Sequence, residues 1–321
     1  MPSLTNIFSR LPVAAKSRWV RYSNAFRPEH DAGQILVLAF SKDRPLQLDL
    51  LLRTLRERVM PQQAVHVLYR ASNEDCETAY RQVFSENIGL GIVPHPEASF
   101  KDDLLRICRG SHCRFIMFLV DDIAFIRPVN LNEIATLSRR GHIVSIRLGL
   151  NITRAQTEGG AVRHIPLMTP VAGMTSRFLT WEWYKADPGH WSMPTALDGN
   201  VLPLPELVPV LEATAFKAPN SLEAAIGQYR FLFKYTSGVC YDLPRIVNFP
   251  LNSVKTENFD FPHMGMSVED MLEIYNNGGR LDVADFPHVE HDSCHMEWVP
   301  KIKYPAGVGG HAPSFDDRGH A

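Results

Sequence analysis

The chain alternates short apolar runs with longer segments in which apolar residues recur every three or four positions. The first apolar run covers residues 35–40, and the second covers residues 64–69. Uninterrupted runs of this length predict buried strands, whereas the three-to-four spacing predicts helices. Strands that alternate with helices in this way predict an α/β fold with a mostly parallel sheet and helices on both of its faces.

Prolines, capping residues and glycines mark where the predicted helices begin and end. Pro45 opens the first helix, and a second helix follows the strand at 64–69 and runs through Ala79 and Val83. Gly110 ends the third helix. The third helix begins at Ser99, later helices begin at about Pro205, at Asn220 or Ser221 and at Ser267, and further strands are predicted at 92–93, 115–120 and 142–148.

Two adjacent carboxylates follow the apolar run at 115–120. Asp121 and Asp122 come directly after this run, and apolar residues resume at Ile123. A strand buried on both faces places them at its carboxyl end, which is where open α/β sheets bind ligands. Two such oxygen donors suit Mg²⁺ or Mn²⁺, which in turn holds the phosphates of a substrate. An acidic strand end that only caps the next segment is the alternative, and these residues alone favour neither.

The composition is that of an ordinary globular protein. The 321 residues are 45% hydrophobic and 21% charged, enough for one large core or a core with an appendage. A net charge of -2 gives no general attraction to nucleic acid or to anionic membranes. The five cysteines are odd in number and scattered, and no stretch reaches the length of a signal peptide or a membrane span. We therefore expect a cytoplasmic protein.

The first 33 residues form a basic segment. Its cations lie among apolar side chains, an arrangement that fits a peripheral membrane or partner contact, although a loosely held arm is the interpretation we favour. We predict an N-terminal basic arm at 1–33, a nucleotide-sugar-binding half at 34–150, an acceptor-binding and catalytic half at 151–304, and a flexible tail at 305–321.

The motifs at the predicted strand ends resemble one enzyme family. They are Ser41-Lys42-Asp43-Arg44-Pro45 after the first strand, an Asn/Asp-rich turn after the second, Lys101-Asp102-Asp103 at a helix start, and Val120-Asp121-Asp122. This order resembles the nucleotide-sugar half of a family 2-like GT-A glycosyltransferase, over about residues 34–150 and more loosely to about 280. The resemblance implies a GT-A-like sheet and an irregular, Trp-rich acceptor lobe.

The resemblance also implies a bound divalent cation, Mn²⁺ or Mg²⁺. The family holds this cation with a DxD motif, but Val120 stands here where its first Asp would be, which gives an xDD variant. The resemblance then assigns Asp122 to the metal and Asp121 to the sugar, the ribose or the metal. Some members add a late histidine. His288 is the candidate here, with His263, His291 and His295 as alternatives and a surface cluster of histidines as the competing explanation.

Positions that match the family's donor site suggest contacts with the nucleotide. The donor-site candidates are Ser41, Asp43 and Arg44 at the base and ribose, Asp75 near the base, and Lys101 and Asp102 near the diphosphate or ribose. Local roles compete with these assignments. Asp43 also fits a helix N-cap, and Ser99 with Asp102 fits a capping pair.

In the inverting members of the family that this chain resembles, a carboxylate in a downstream loop or helix start takes the proton of the acceptor hydroxyl. Glu223 is the first candidate and Asp198 the second, although Asn220 with Glu223 also fits a capping box. Aromatic faces stack on sugar rings, so the acceptor candidates are Trp181, Trp183 and Trp191. A tryptophan cluster in the core is the alternative.

The resemblance implies a glycosyltransferase that moves a sugar from a nucleotide-diphospho-sugar donor to an acceptor hydroxyl on a glycan or glycoconjugate, with a divalent cation and inversion at the anomeric carbon. The alternatives are a non-catalytic module that binds a sugar or a partner on the same fold, and a nucleotidyltransferase. Nucleotidyltransferases usually carry a glycine-rich loop after the first strand, and residues 41–45 contain no glycine. The sequence also lacks both glycine-rich phosphate-binding motifs and a Gly-x-Ser-x-Gly elbow.

Overall fold

A nine-stranded sheet with helices packed on both faces forms the centre of the molecule. The computed structural model describes residues 12–18, 35–155, 160–252, 266–284, 291–296 and 301–305. The helices in these ranges are α1 (Pro45–Arg58), α2 (Glu74–Glu86), α3 (Phe100–Gly110), α4 (Leu131–Arg139), α5 (Leu204–Ala213), α6 (Pro219–Gly227) and α7 (Val268–Asn276). Residues 13–18 are also helical. The predicted α/β fold is confirmed.

The strands comprise those of the large sheet and several short pairs. They are β1 (Ile35–Lys42), β2 (Val59–Met60), β3 (Val65–Arg70), β4 (Ile92–Pro96), β5 (Phe115–Val120), β6 (Ile123–Phe125), β7 (Val129–Asn130), β8 (Ile143–Ser145), β9 (Arg154–Ala155), β10 (Ala161–Val162), β11 (Thr169–Pro170), β12 (Phe178–Trp181), β13 (Asn200–Pro203), β14 (Gly238–Tyr241), β15 (Ile246–Asn248), β16 (Arg280–Leu281) and β17 (Ile302–Lys303). The order in the large sheet is β11-β12-β14-β8-β13-β5-β1-β3-β4.

Most strands of the large sheet run in one direction. β4, β3, β1 and β5 are parallel neighbours, and β8 and β14 form a second parallel pair. β13 lies between these two groups and runs antiparallel to both β5 and β8. β12 also runs against its neighbours. The sheet is therefore mostly parallel, as predicted, and two antiparallel strands interrupt it.

Side chains of β1 alternate between two cores. Val37 and Ala39 pack into the core on one face of the sheet, whereas Leu38 and Phe40 pack into the core on the other face. A strand buried on both faces must be apolar at almost every position, which explains the uninterrupted apolar run at 35–40. Phe40 pairs with Val120 of β5, so the turns after β1 and β5 lie at the same edge of the sheet.

The structure departs from the sequence prediction in the middle of the chain. Helix α4 and strands β12, β13 and β14 were not predicted, and β8 covers only Ile143–Ser145 of the predicted strand at 142–148. The side chain of Asn130 caps α4 by accepting the N–H groups of Asn132 and Glu133. β13 is four residues long, and it pairs with β5, where Val201 lies opposite Met117. Because this partner is remote in sequence, no local pattern predicts β13.

Two further features bear on the sequence predictions. Within the part of the chain that is described, no helix is both long and apolar enough to span a bilayer. All five cysteines are free. Only 12–18 of the basic N-terminal segment is described, and there Val13 and Ala14 pack against the core.

Candidate active site

A cavity of about 530 Å³ lies at the carboxyl edge of the parallel strands. Several side chains that the sequence analysis selected line it together: Ser41, Arg44, Asp121, Asp122, Asp198 and Glu223. The first four come from the ends of β1 and β5, and the last two come from the second half of the chain. The predicted donor side and the predicted catalytic side therefore face one cavity.

Asp121 is held by the turn between β1 and α1. Ser41 Oγ donates to one carboxylate oxygen of Asp121 at 2.8 Å, and Arg44 Nη1 donates to the other at 3.1 Å. The Tyr80 hydroxyl lies 2.7 Å from Ser41 Oγ and accepts the backbone N–H of Arg44 at 3.0 Å. Burial disfavours the charged form of Arg44, but attraction to the carboxylates of Asp121 and Asp122 is stronger. The pKa of Arg44 is therefore raised. The Asp121 carboxylate is thus paired with a cation and fixed in orientation.

Asp122 has a different environment. Asn248 Nδ2 donates to Asp122 Oδ1 at 3.1 Å, and no cationic side chain of the described residues lies within ion-pair distance of this carboxylate. Burial, together with repulsion from Asp121 and Asp198, raises the pKa of Asp122 to about 7, against the opposing effects of Arg44 and Asn248. A half-buried carboxylate that lacks an ion-pair partner among the described residues is suited to binding an added cation.

Asp198 forms an ion pair with Arg147. Arg147 Nη1 lies 3.1 Å from Asp198 Oδ2, and Arg147 Nη2 lies 3.1 Å from His190 Nδ1. Burial opposes the charge on Arg147, but Cys294, Asp198 and Glu223 outweigh it and raise its pKa. Burial and Arg147 lower the pKa of His190 to about 2, so its imidazole is neutral. Because Arg147 only donates, His190 Nδ1 accepts and the ring proton is assigned to Nε2.

Glu223 lies on the first turns of α6 without capping that helix. The helix begins at Pro219, and the Ser221 hydroxyl accepts the N–H groups that precede it, so the Asn220–Glu223 capping box is not formed. Glu223 Oε1 instead accepts the N–H of Leu197 at 3.2 Å. Burial and repulsion from Asp198 raise the pKa of Glu223 to about 7, with Arg147 opposing. A carboxyl group with this pKa is poised to exchange a proton at neutral pH.

His295 is a further cavity residue that could hold a metal. It pairs with Asn248 in a parallel bridge, and its Nδ1 is buried without a hydrogen-bond partner. Burial and Arg147 lower the pKa of His295 to about 4, which leaves a neutral imidazole. Of the other late histidines, His288 and His263 lie outside the described residues, and His291 Nδ1 contacts the carbonyl oxygen of Ser293.

Two side chains of the cavity are candidate ligands for a divalent cation. Among the described residues no three His, Cys, Asp or Glu side chains cluster as a complete metal site. Mg²⁺ and Mn²⁺ in phosphate-binding sites need only one or two protein ligands, because the phosphates and water supply the rest. The Asp122 carboxylate and the Nδ1 of His295, which has no hydrogen-bond partner among the described residues, both line the cavity and are the candidate protein ligands. Asp121 is less open to a cation because Ser41 and Arg44 each bond one of its oxygens.

The mouth of the cavity is basic and part of its wall is apolar. Lys42, Arg70 and Lys217 line it as exposed cations, and Phe40 and Phe100 contribute apolar surface. Arg70 lies 3.8 Å from Glu97, a loose ion pair. This mouth is suited to a ligand that carries both an anionic group and a planar or apolar group.

Asp43 and Asp75 do not line the cavity. Asp43 accepts the N–H of Ser72 at 2.6 Å and its hydroxyl at 2.7 Å, which ties the turn after β1 to the turn after β3. It is not the N-cap of α1, because Arg44 occupies that position. The φ angle of Asp43 is 55°, a left-handed conformation that Asp tolerates. Asp75 is an exposed residue of α2. Neither geometry supports direct contact with a donor in this cavity.

Lys101 and Asp102 also lie away from the cavity. Lys101 Nζ donates to the carbonyl oxygen of Glu212 at 3.1 Å, at the carboxyl end of α5. Asp102 accepts the hydroxyl of Ser99 at 2.8 Å. The competing interpretation of Asp102 as one member of a local pair with Ser99 therefore describes its contacts, and its donor assignment lacks support.

The three candidate acceptor tryptophans are core residues. Trp181, Trp183 and Trp191 are 5%, 4% and 2% exposed. Each indole N–H donates to a backbone carbonyl, and the rings of Trp181 and Trp191 pack edge to face with centroids 5.1 Å apart. Stacking on a sugar requires an open ring face, which these side chains do not present. The core interpretation replaces the acceptor assignment.

Arg147, His190 and Asn248 are among the cavity residues that the sequence analysis did not select. Arg147 was detectable, because it is a charged residue that interrupts the apolar run at 142–148 directly after a buried strand. Asn248 ends β15, and its contact with Asp122 spans 126 positions of sequence. No local pattern could have connected these two residues.

Comparison with known proteins gives no close match. No family model and no curated protein matches this chain. Among solved structures, S. aureus TarS gives a TM-score of 0.41 at 9% identity, covering 66% of this chain and 36% of that one. S. aureus TarS 1-349 in complex with UDP gives 0.39 at 10% identity, covering 66% and 60%. The mannosyltransferase PcManGT from Pyrobaculum calidifontis, in complex with GDP-Man and Mn²⁺, gives 0.26 at 13% identity, covering 41% and 42%. This chain thus spans less than two thirds of each, and any functional argument rests on the cavity.

Proposed function

We propose that this protein transfers a glycosyl group from a nucleotide-diphospho-sugar to an acceptor hydroxyl. The observation that carries the proposal is the placement of two carboxyl groups with raised pKa values in one cavity. Asp122 follows a parallel strand and lacks an ion-pair partner among the described residues, whereas Glu223 enters from α6. One carboxylate is suited to a cation at the donor diphosphate, and the other is suited to a proton at the acceptor.

The donor would lie across the carboxyl ends of β1, β3 and β5. Lys42, Arg70 and Lys217 at the mouth attract its negative charge, and the apolar wall at Phe40 accommodates the base. Asp122 and His295 would hold the divalent cation. When it is bound, the cation offsets the negative charge that develops on the departing diphosphate.

Glu223 would act as the general base. As the acceptor oxygen attacks the anomeric carbon, the bond from that carbon to the diphosphate oxygen breaks, and Glu223 takes the proton of the acceptor hydroxyl. Attack from the face opposite the leaving group inverts the anomeric configuration. Asp198 is the weaker candidate because Arg147 pairs with its carboxylate. Its charge instead raises the pKa of Glu223, which makes Glu223 a stronger base.

One observation favours the binding-module alternative. Ser41 and Arg44 each bond one oxygen of Asp121, so Asp122 is the carboxylate of the acidic pair that is more open to a cation. A module that binds a nucleotide-sugar without turnover needs no Glu223 carboxylate. The two functions therefore differ in the role of Glu223.

The test combines ligand-dependent thermal stability with donor turnover. Melting curves are recorded with UDP, GDP, CMP and ADP, each with and without Mn²⁺. A ligand that binds only the folded state stabilises it by about 2.7 kcal/mol at a hundredfold excess over its Kd. We expect a Mn²⁺-dependent shift with one nucleotide, lost in Asp122→Asn and kept in Glu223→Gln. The exposed Asp75→Asn substitution is the matched control and keeps the shift.

Turnover is measured as release of the nucleoside diphosphate from the matching nucleotide-sugar, with water as the acceptor. Glu223→Gln is expected to lower this rate about 10²- to 10⁴-fold, the usual contribution of a general base. A rate that Glu223→Gln leaves unchanged contradicts the base assignment. Nucleotide binding without any turnover in the wild-type protein favours the binding module. The absence of any nucleotide shift contradicts the proposed transfer and favours a module that binds a sugar or a partner.

A further inference from the structure

A group of exposed aromatic and basic side chains lies outside the cavity. We call it the aromatic–basic patch, and it consists of Tyr184, Lys185, Arg230, Phe231, Lys234 and Tyr235. Large apolar side chains are costly to expose, yet Tyr184, Phe231 and Tyr235 are 42%, 47% and 89% exposed. Lys234 lies 5.9 Å from the centre of the Tyr235 ring, and Lys185 lies 5.8 Å from that of Tyr184. Aromatic and cationic groups are thus paired on both segments of the patch.

The two segments of the patch are joined through the core. Tyr184 and Lys185 belong to the 3-10 helix Trp183–Lys185, and Phe231 belongs to the 3-10 helix Arg230–Phe233. The indole N–H of Trp183 donates to the carbonyl oxygen of Phe233 at 3.2 Å. The buried ring of Trp183 therefore holds both segments at one place on the surface.

The charge of the patch is opposite in sign to that of the chain. Its cations are Lys185, Arg230 and Lys234, and Glu182 pairs with Lys185. Among the described residues, Arg230 and Lys234 have no carboxylate within ion-pair distance. The whole chain has a net charge of -2, so attraction to an anionic surface would act locally at this patch.

We propose that the aromatic–basic patch docks the protein on an anionic lipid bilayer. Aromatic rings with a polar edge lie at the headgroup level of membranes, and neighbouring cations are attracted to acidic lipids. Phe231 and Tyr235 enter the interface, and Arg230 and Lys234 contact lipid phosphates. A handful of side chains is enough for reversible binding of this kind, whereas a stable protein–protein interface buries about 800 Å² on each partner.

The position of the patch relates it to the cavity. Helix α6, which carries Glu223, ends at Gly227, and the 3-10 helix Arg230–Phe233 follows directly. Docking through the patch therefore brings the helix that lines the cavity close to the lipid headgroups. An acceptor attached to a lipid would meet the cavity without leaving the membrane surface. The docking itself does not depend on the proposed chemistry.

The experiment is co-sedimentation of the full chain with vesicles. One set of vesicles is phosphatidylcholine alone, and the other contains about 30% phosphatidylglycerol, which gives a negative surface potential. We expect binding to the anionic vesicles that weakens as salt is added, and little binding to the neutral ones. Lys234→Gln should lower the partition coefficient about fivefold, the equivalent of one cation at the surface. Phe231→Ser with Tyr235→Ser should lower it further.

A matched control separates the patch from exposed apolar residues in general. Ile88 and Leu167 are 80% and 94% exposed and belong to other parts of the chain, so Ile88→Ser with Leu167→Ser should leave vesicle binding unchanged. Equal melting midpoints for all variants show that the fold is kept. Absence of vesicle binding, or binding that survives in Phe231→Ser with Tyr235→Ser, overturns the proposal. If the wild-type protein self-associates without binding vesicles, and the double variant does not self-associate, the patch is a contact with a second copy of the chain and the proposal is overturned.

Discussion

Replacing Glu223 by glutamine should stabilise the protein at the same time as it removes the proposed base. Glutamine keeps the shape of the side chain and the oxygen that accepts the N–H of Leu197. It removes a negative charge that is partly buried and that lies near Asp198, the two causes that raise the pKa of Glu223 to about 7. The wild-type protein therefore carries an electrostatic cost at this position that the variant lacks.

The size and pH dependence of this cost follow from the pKa. In the unfolded chain the carboxyl group titrates near 4.5, and in the folded protein it titrates near 7. Below pH 4.5 the carboxyl group is protonated in both states, so the electrostatic cost is zero. As the pH rises from 4.5 to 7, the unfolded state loses its proton first and is favoured, and above 7 the cost is complete. Each pKa unit corresponds to 1.36 kcal/mol, so the upper bound is about 3 kcal/mol.

The assay is the melting midpoint of wild type and Glu223→Gln measured across this pH range. We expect the variant to melt several degrees higher at about pH 8, with the difference falling towards zero at about pH 4.5, since about 1 kcal/mol shifts the midpoint of a large domain by about 2–4 °C. Glu212→Gln is the control, because Glu212 is an exposed carboxylate that pairs with Arg109. Its effect should be small at every pH.

Two results would refute this reasoning. A variant no more stable than wild type at pH 8 would show that the Glu223 carboxylate is not held under electrostatic strain. A gain of the same size at pH 5 and pH 8 would show that the effect comes from packing rather than ionisation.

Two further substitutions test how the cavity is held together. Arg44→Ala leaves the Asp121 carboxylate, which is 4% exposed, without its cationic partner. The free energy of unfolding, measured in urea, should therefore fall by about 3 kcal/mol. An unchanged urea midpoint would contradict the role of this pair. Gly199→Ala should destabilise by more than about 1 kcal/mol, because φ is +72° and the added Cβ would lie 2.6 Å from Ile146 Cγ1. Gly110→Ala is its matched control, since nothing lies within 4 Å of the added Cβ and alanine is the better helix former. The melting midpoints of the two variants should therefore move in opposite directions.

The sequence predicted the parts of the fold whose signals are local. The first strand, the helix opened by Pro45, the helix capped by Ser267 and the strand before Asp121 all form as predicted. Each has a pattern that is complete within its own segment, such as an uninterrupted apolar run or a capping residue. The alignment of parallel strand ends then placed Ser41, Arg44 and Asp121 together, as the parallel-sheet prediction required.

The rest of the cavity depends on contacts that no segment encodes alone. Arg147 and Asp198 lie 51 positions apart, and Asn248 reaches Asp122 from a strand of another small sheet. The tryptophans show a second limit of sequence analysis. An aromatic-rich segment has the same sequence pattern whether its rings face a ligand or the core. Only the packing of Trp181 against Trp191 decides between them.

The position of β13 has a consequence for how the chain can be divided. β13 is the neighbour of β5 on one side and of β8 on the other, and β14 is the remaining neighbour of β8. A fragment of residues 34–150 would keep β5 and β8 but lose both of these neighbours. Its unpaired strand edges would expose rows of backbone N–H and C=O groups, which are templates for aggregation. The sheet therefore makes the halves on either side of residue 150 a single unit of folding.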